Sequence, residues 1–117
     1  MIDIHRWEES GFEQMSPGVR RQVIHGEQMT IARFRLRKGT QVDRHQHAAE
    51  QVATVLQGKM KLVIGDGEEH VVSAGETIVL PANVPHWAEA LEDCDVLDTF
   101  SPLREDWIRG DDAYLRR

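Results

Sequence analysis

The sequence has a single cysteine, Cys94, so no disulfide can close within the chain, and stability must come from a packed interior. Positive charge is also in deficit. Fourteen Lys and Arg against 20 Asp and Glu leave a net charge of −6, the wrong sign for holding nucleic acid or an anionic membrane by bulk electrostatics. No apolar run approaches the roughly 18 residues of a membrane helix, which excludes that mode of insertion. Residues 1–10 contain no apolar stretch like a signal peptide, so a cytoplasmic location is expected. Repeats, linkers and low-complexity tracts are absent, and helical periodicity is nearly so. With 117 residues, 40% apolar and 29% charged, the chain has the composition and length of one soluble domain.

What is present is a series of short runs rich in Val, Ile, Leu and Thr, separated by Gly, Asn, Asp and Pro. They predict strands at 19–25, 30–37, 51–57, 59–64, 70–73, 77–80, 87–91 and 95–100, with turns at Gly39, Gly58, Asp66-Gly67 and Gly75. Eight strands in this length imply an all-β single domain, a barrel or two-sheet jelly roll. In the second run Ala32, Phe34 and Leu36 alternate with Arg33, Arg35 and Arg37, so one face is core and the other solvated. Residues 1–18, polar and carrying Gly11 and Pro17, are expected to form a loosely structured arm before a domain spanning 19–117. Beyond Pro102, residues 104–108 and 111–115 suit short helical turns. The edges of so small a sheet fold invite pairing, and a symmetric homodimer is expected to cover one of them, with the arm as one means.

Of six histidines, His5, His25 and His70 are isolated and read as surface or packing residues. The other three belong to two punctuated elements: Gly39, His45, His47, Gln51 and Gly58, then Gly75, Pro81 and His86. On an extended strand His45, His47 and Gln51 project together unless a bulge intervenes, and His86 must return beside them. Three converging neutral imidazoles suit one divalent transition metal, with nickel, zinc, iron, cobalt and manganese all admissible. Coincidental surface spacing is the plain alternative. Glu50 is a competing carboxylate ligand, but its odd offset from His47 puts it on the opposite strand face, which favours Gln51.

These two elements resemble the motifs of the cupin superfamily, small β-barrels with this glycine, histidine and proline spacing. Three positions depart from the common pattern: Gln51 stands for the usual glutamate ligand, Asn83 for a glycine and Ala90 for an asparagine. Asn tolerates the left-handed backbone better than most residues, so Asn83 is a mild change. Gln51 is the informative one, because a neutral amide leaves a bound cation's +2 charge uncompensated and favours Lewis-acid work on an oxyanion.

Near the C-terminus Val96, Asp98 and Phe100 share a strand face. If that face points inward, Asp98 is a buried carboxylate that must be functional or bridged, with an architectural pair to Arg104 as the simple alternative. Leu97 and Thr99 facing inward would weaken the case. Gln51 together with the tail Asp98-Thr-Phe100-Ser-Pro-Leu-Arg104-Glu-Asp-Trp107 resembles the KdgF-type cupins of pectin and alginate breakdown, from about Pro17 to Tyr114. The resemblance implies metal-dependent opening of 4,5-unsaturated uronates to linear 4-deoxy-5-keto uronates. It implies His45, His47, Gln51 and His86 as metal ligands, with Asp98, Phe100 and Arg104 around the substrate: Asp98 moving a proton, Arg104 gripping the carboxylate at two points, Phe100 walling one sugar face. Two rival readings are a metal-dependent oxygenase and a non-catalytic module that binds a small acid or sugar.

Overall fold

The computed structural model describes residues 2–116. Its strands are β1 Glu13–Ser16, β2 Val19–His25, β3 Thr30–Leu36, β4 Gln41–His45, β5 Glu50–Gln57, β6 Lys59–Ile64, β7 Glu68–Ser73, β8 Thr77–Leu80, β9 His86–Ala90 and β10 Cys94–Ser101. They form a six-stranded sheet, β1-β2-β3-β10-β5-β8, and a four-stranded sheet, β4-β9-β6-β7, antiparallel throughout. The all-β two-sheet architecture is therefore as expected. Strand β10 lies between β3 and β5, which places the C-terminal site residues in the middle of the larger sheet.

The core lies between the sheets, and alternation decides who enters it. Ala32, Phe34 and Leu36 are buried while the arginines between them face out, where Arg33 grips Asp95 through bonds of 2.8 and 2.7 Å. On β10 the buried set is Cys94, Val96, Asp98 and Phe100, so Asp98 shares the inner face with apolar neighbours and Leu97 and Thr99 do not. Gly58, at φ +87, turns β5 into β6, and a Cβ there would lie 2.2 Å from the Asp93 carbonyl oxygen.

Two strands carry too little apolar signal to be seen in the sequence. Only Met15 of β1 is buried, and Val42 is the sole aliphatic of β4, so neither shows alternation; pairing to β2 and β9 makes them strands. The loosely structured arm expected through residue 18 is corrected accordingly. Strand β1 pairs with β2 of its own chain, and ahead of it a 3₁₀ turn, Glu9–Gly11, is tied down by Glu9 bonded to Arg20 and Arg35. Those two guanidiniums also sit over the Phe12 ring, at 5.3 and 4.4 Å.

The helical turns predicted after Pro102 are present as α1, Glu105–Ile108, and a 3₁₀ turn, Ala113–Leu115. Trp107 and Leu115 bury themselves in the barrel end. Asp112 holds this segment to β2 through Arg21 at 3.1 Å, and Arg116 bonds the same carboxylate at 2.9 Å. No helix among the described residues is long and apolar enough to cross a membrane.

Candidate metal centre

His45 closes β4, and a bulge sets Val42 to His45 against Ala88 to His86 of β9. That extra residue is why Val42 and His45, an odd offset apart, both line the interior. The chain then leaves the four-stranded sheet through a bend at 46–49, which carries His47, and enters the six-stranded sheet at β5, where Gln51 is second. The even-spacing argument for one continuous strand is thus corrected: the residues converge because the chain changes sheet between them. His86 opens β9 directly opposite His45. Asn83 occupies the left-handed backbone at φ 62 and donates its N–H to the His47 carbonyl at 2.8 Å, joining the two motifs.

All three rings are held the same way. Nδ1 of His45 meets the Asp43 carbonyl at 2.7 Å, Nδ1 of His47 that of Ala49 at 2.8 Å, and Nδ1 of His86 that of Val84 at 2.9 Å. A carbonyl can only accept, so each Nδ1 carries the proton and each Nε2 presents a lone pair. Burial keeps the rings neutral, lowering His45 to about 3 and His47 to about 4, with His86 lowered as well. One ligand atom from each ring can be chosen so that all lie within 4.8 Å of one another.

Gln51 is buried beside them while Glu50 is exposed. Its Oε1 lies 3.1 Å from His47 Nε2. With the His47 proton on Nδ1, two acceptors face each other with no hydrogen between them, an arrangement that a cation shared by both would satisfy. The donor set of three imidazoles and one amide oxygen therefore fits a divalent transition metal.

On its far side the Gln51 amide faces Asp98 and favours the charged form of that carboxyl. That carboxyl is 6% exposed, and its Oδ1 has no hydrogen-bond partner. Burial pushes its pKa up to about 7, against the pull of the Gln51 amide and the Arg104 charge. Asp98 thus borders the cavity of about 70 Å³ that His45, His86, Gln51, Phe100 and Arg104 also line.

Arg104 is 2% exposed and is not paired to Asp98. Asp106 holds it at two points, Nε at 2.9 Å and Nη2 at 2.8 Å, and Tyr114 Oη accepts a further bond from Nη2 at 3.0 Å. Its guanidinium lies 4.7 Å from the Phe100 centroid and 4.1 Å from Trp107. The architectural Asp98–Arg104 pair is absent, and the planar two-point grip expected for a substrate carboxylate is corrected too. The Nε edge is occupied by Asp106, and Nη1 is the terminus without a hydrogen-bond partner among the described residues.

Sequence reasoning assigned no role to Asp106 or Tyr114. Asp106 lies within the tail that ends at Trp107 and Tyr114 lies beyond it, and the parts of both are set by where α1 and the 3₁₀ turn fold back, which periodicity cannot show. Nor did it anticipate Thr30, whose fully buried Oγ1 accepts the Arg104 backbone N–H at 2.8 Å and meets His25 Nδ1 at 2.8 Å.

Comparison with known proteins agrees with this geometry. A family model described as the Cupin domain matches residues 32–100. The pectin degradation protein KdgF of Dickeya dadantii (strain 3937) is 30% identical over 104 residues, covering 86% of this chain and 94% of that protein. A solved structure of KdgF from Halomonas sp. is 31% identical with a TM-score of 0.75, covering 82% of this chain and 91% of that one. The 3-hydroxyanthranilate 3,4-dioxygenase of Rattus norvegicus is 33% identical over 88 residues, 73% of this chain but 30% of that protein. A two-sheet barrel with three inward imidazoles, matched over nearly its full length by KdgF proteins, belongs to the cupin family and within it to the KdgF type.

Proposed function

We propose that this protein is a metal-dependent, non-redox enzyme that opens the ring of 4,5-unsaturated uronates to linear 4-deoxy-5-keto uronates. The observation that carries this reading is Asp98: a buried carboxyl with an unpaired oxygen, bordering the cavity that the histidines enter. A binding module would gain nothing from that costly group. The likeness to pectin degradation protein KdgF supports a small uronate as the substrate.

The substrate is a cyclic hemiacetal carrying an enol ether and a carboxylate. Opening breaks the bond from the ring oxygen to the anomeric carbon. The hydroxyl proton leaves as the aldehyde forms, and a proton added at carbon 4 converts the enol to the ketone. Nothing is oxidised and no water is consumed. A carboxyl near pKa 7 is suited to take the first proton and return one to carbon 4. Arg104 would contact the substrate carboxylate through Nη1, at one charged point. Phe100 would offer an apolar wall to one face of the sugar. His45, His47, His86 and Gln51 would hold the metal, whose Lewis acidity favours negative charge on a departing oxygen.

The test is to incubate the protein with an unsaturated uronate and follow loss of the conjugated double bond, with and without a chelator. Metal-dependent loss is expected. Disappearance only at the spontaneous rate would overturn the reading. The likeness to 3-hydroxyanthranilate 3,4-dioxygenase favours a second reading, an oxygenase; full turnover without oxygen decides against it. Edge strands β7 and β8 expose Val71 and Val79, which supports the homodimer as part of this proposal, to be measured by light scattering.

A further inference from the structure

Tyr114 touches both halves of the site. Its ring stacks on His45, with centroids 4.1 Å apart and planes at 20°. Its hydroxyl oxygen accepts hydrogen bonds from Arg104 Nη2 and from Trp107 Nε1, each at 3.0 Å. Phe100 also spans the two halves, 5.5 Å from the His47 ring and 4.7 Å from the Arg104 guanidinium, but only through its apolar ring, whereas Tyr114 adds a hydrogen bond to its stack.

These contacts supply what the other partners do not. The Asp43 carbonyl fixes the tautomer of His45 and the His86 ring crosses it with centroids 4.4 Å apart, but a bond at one nitrogen and a neighbour inclined at 64° leave the imidazole some freedom to tilt. A ring laid flat against it removes that freedom. Likewise Asp106 holds the Nε–Nη2 edge of Arg104, and the Tyr114 hydroxyl accepts a second bond from that same Nη2, so the two together fix the guanidinium plane and where the remaining Nη1 points. The tyrosine is itself anchored through its neighbours. It sits between Ala113 and Leu115 in the 3₁₀ turn, with buried Leu115 on one side and Asp112, clamped by Arg21 and Arg116, on the other.

We infer that Tyr114 is a positioning residue that aligns the metal-facing imidazole of His45 through its ring and the substrate-facing guanidinium of Arg104 through its hydroxyl. The hydroxyl half rests on the ring-opening reading; the ring half rests only on the histidine cluster. Two substitutions separate them. Tyr114→Phe keeps the stack and deletes the hydroxyl, so Zn(II) affinity of the apo-protein should stay within about twofold of the parent while KM for an unsaturated uronate rises several-fold more than kcat falls. Tyr114→Leu deletes the ring, and Zn(II) affinity, read by competition with a chromophoric chelator, should fall about tenfold, the lower end for groups that orient metal ligands.

A general structural role would lower thermal stability in both variants without dividing metal affinity from KM. Unchanged Zn(II) affinity in Tyr114→Leu would overturn the ring half, and unchanged KM in Tyr114→Phe the hydroxyl half. Should the leucine variant not fold, Tyr114→Met gives the same metal reading with more of the volume retained. If the parent protein fails to turn over any uronate, the proposed function is lost, yet the zinc titration still decides the ring half.

Discussion

Asp98 is placed where its charge is costly, and the cost can be measured. Its carboxyl is pushed up to about 7 from the ordinary 3.8 of an aspartate because burial disfavours the ionised form. That gap corresponds to about 4 kcal/mol. An acid whose pKa is raised by folding binds more protons folded than unfolded, so this contribution is fully present below about pH 4 and is lost as pH climbs through 7. The histidines pull the other way. With His45 at about 3 and His47 at about 4 in the folded protein, stability is lost as pH falls from 6.5 toward those values. Asp98→Asn removes the first contribution and leaves the second in place, so the difference between variant and parent isolates Asp98. Urea unfolding of the chelator-treated proteins should show the two alike near pH 4, with the asparagine variant gaining steadily to as much as about 4 kcal/mol by about pH 8. The same variant should lose turnover, and the stability gap should narrow when Zn(II) is added, since a nearby cation favours the carboxylate. A gap that does not change with pH, or a parent more stable than the variant at about pH 8, would refute the argument that Asp98 is held for chemistry at the expense of stability.

Gln51→Glu should keep its metal but slow turnover about tenfold, by partly neutralising the cation and by setting a second carboxylate beside Asp98; an equal or faster enzyme in steady-state assays removes the Lewis-acid argument. Asp112→Ala leaves the Arg21 guanidinium, only 7% exposed and with Nε and Nη1 already unpartnered, with Glu13 at 3.6 Å as its remaining carboxylate, and should lower stability by about 3 kcal/mol in urea titrations. Asn83→Gly should be tolerated within a few tenths of a kcal/mol and Asn83→Ala should cost about 1 kcal/mol, since φ 62 is left-handed backbone; equal melting temperatures for the two would contradict this.

Much of the fold was legible because strands announce themselves when one face is buried. The alternation in 30–37 and the single face of Val96, Asp98 and Phe100 stand in the structure as the sequence implies. Strands β1 and β4 were not legible, since each has too few apolar residues to show a period and owes its conformation to a neighbour's hydrogen bonds. The histidine spacing marked residues that do converge, though for a partly inapplicable reason. Convergence of His45 and Gln51 depends on a bulge and on a bend that crosses between sheets, and neither is a property of strand periodicity.

Residue identity alone determined which chemistry is on offer: neutral nitrogen donors, an amide where a carboxylate is usual, one acid on an inward face, and too little positive charge for a polyanion. Those are consequences of side-chain type and of a two-residue repeat. Only the tertiary structure decided that Arg104 is gripped by Asp106 and Tyr114 instead of Asp98, and that Asp98 keeps an oxygen unpaired. Such pairings depend on how a short C-terminal segment packs back over the barrel end, and contacts between elements far apart in the chain leave no local pattern to read.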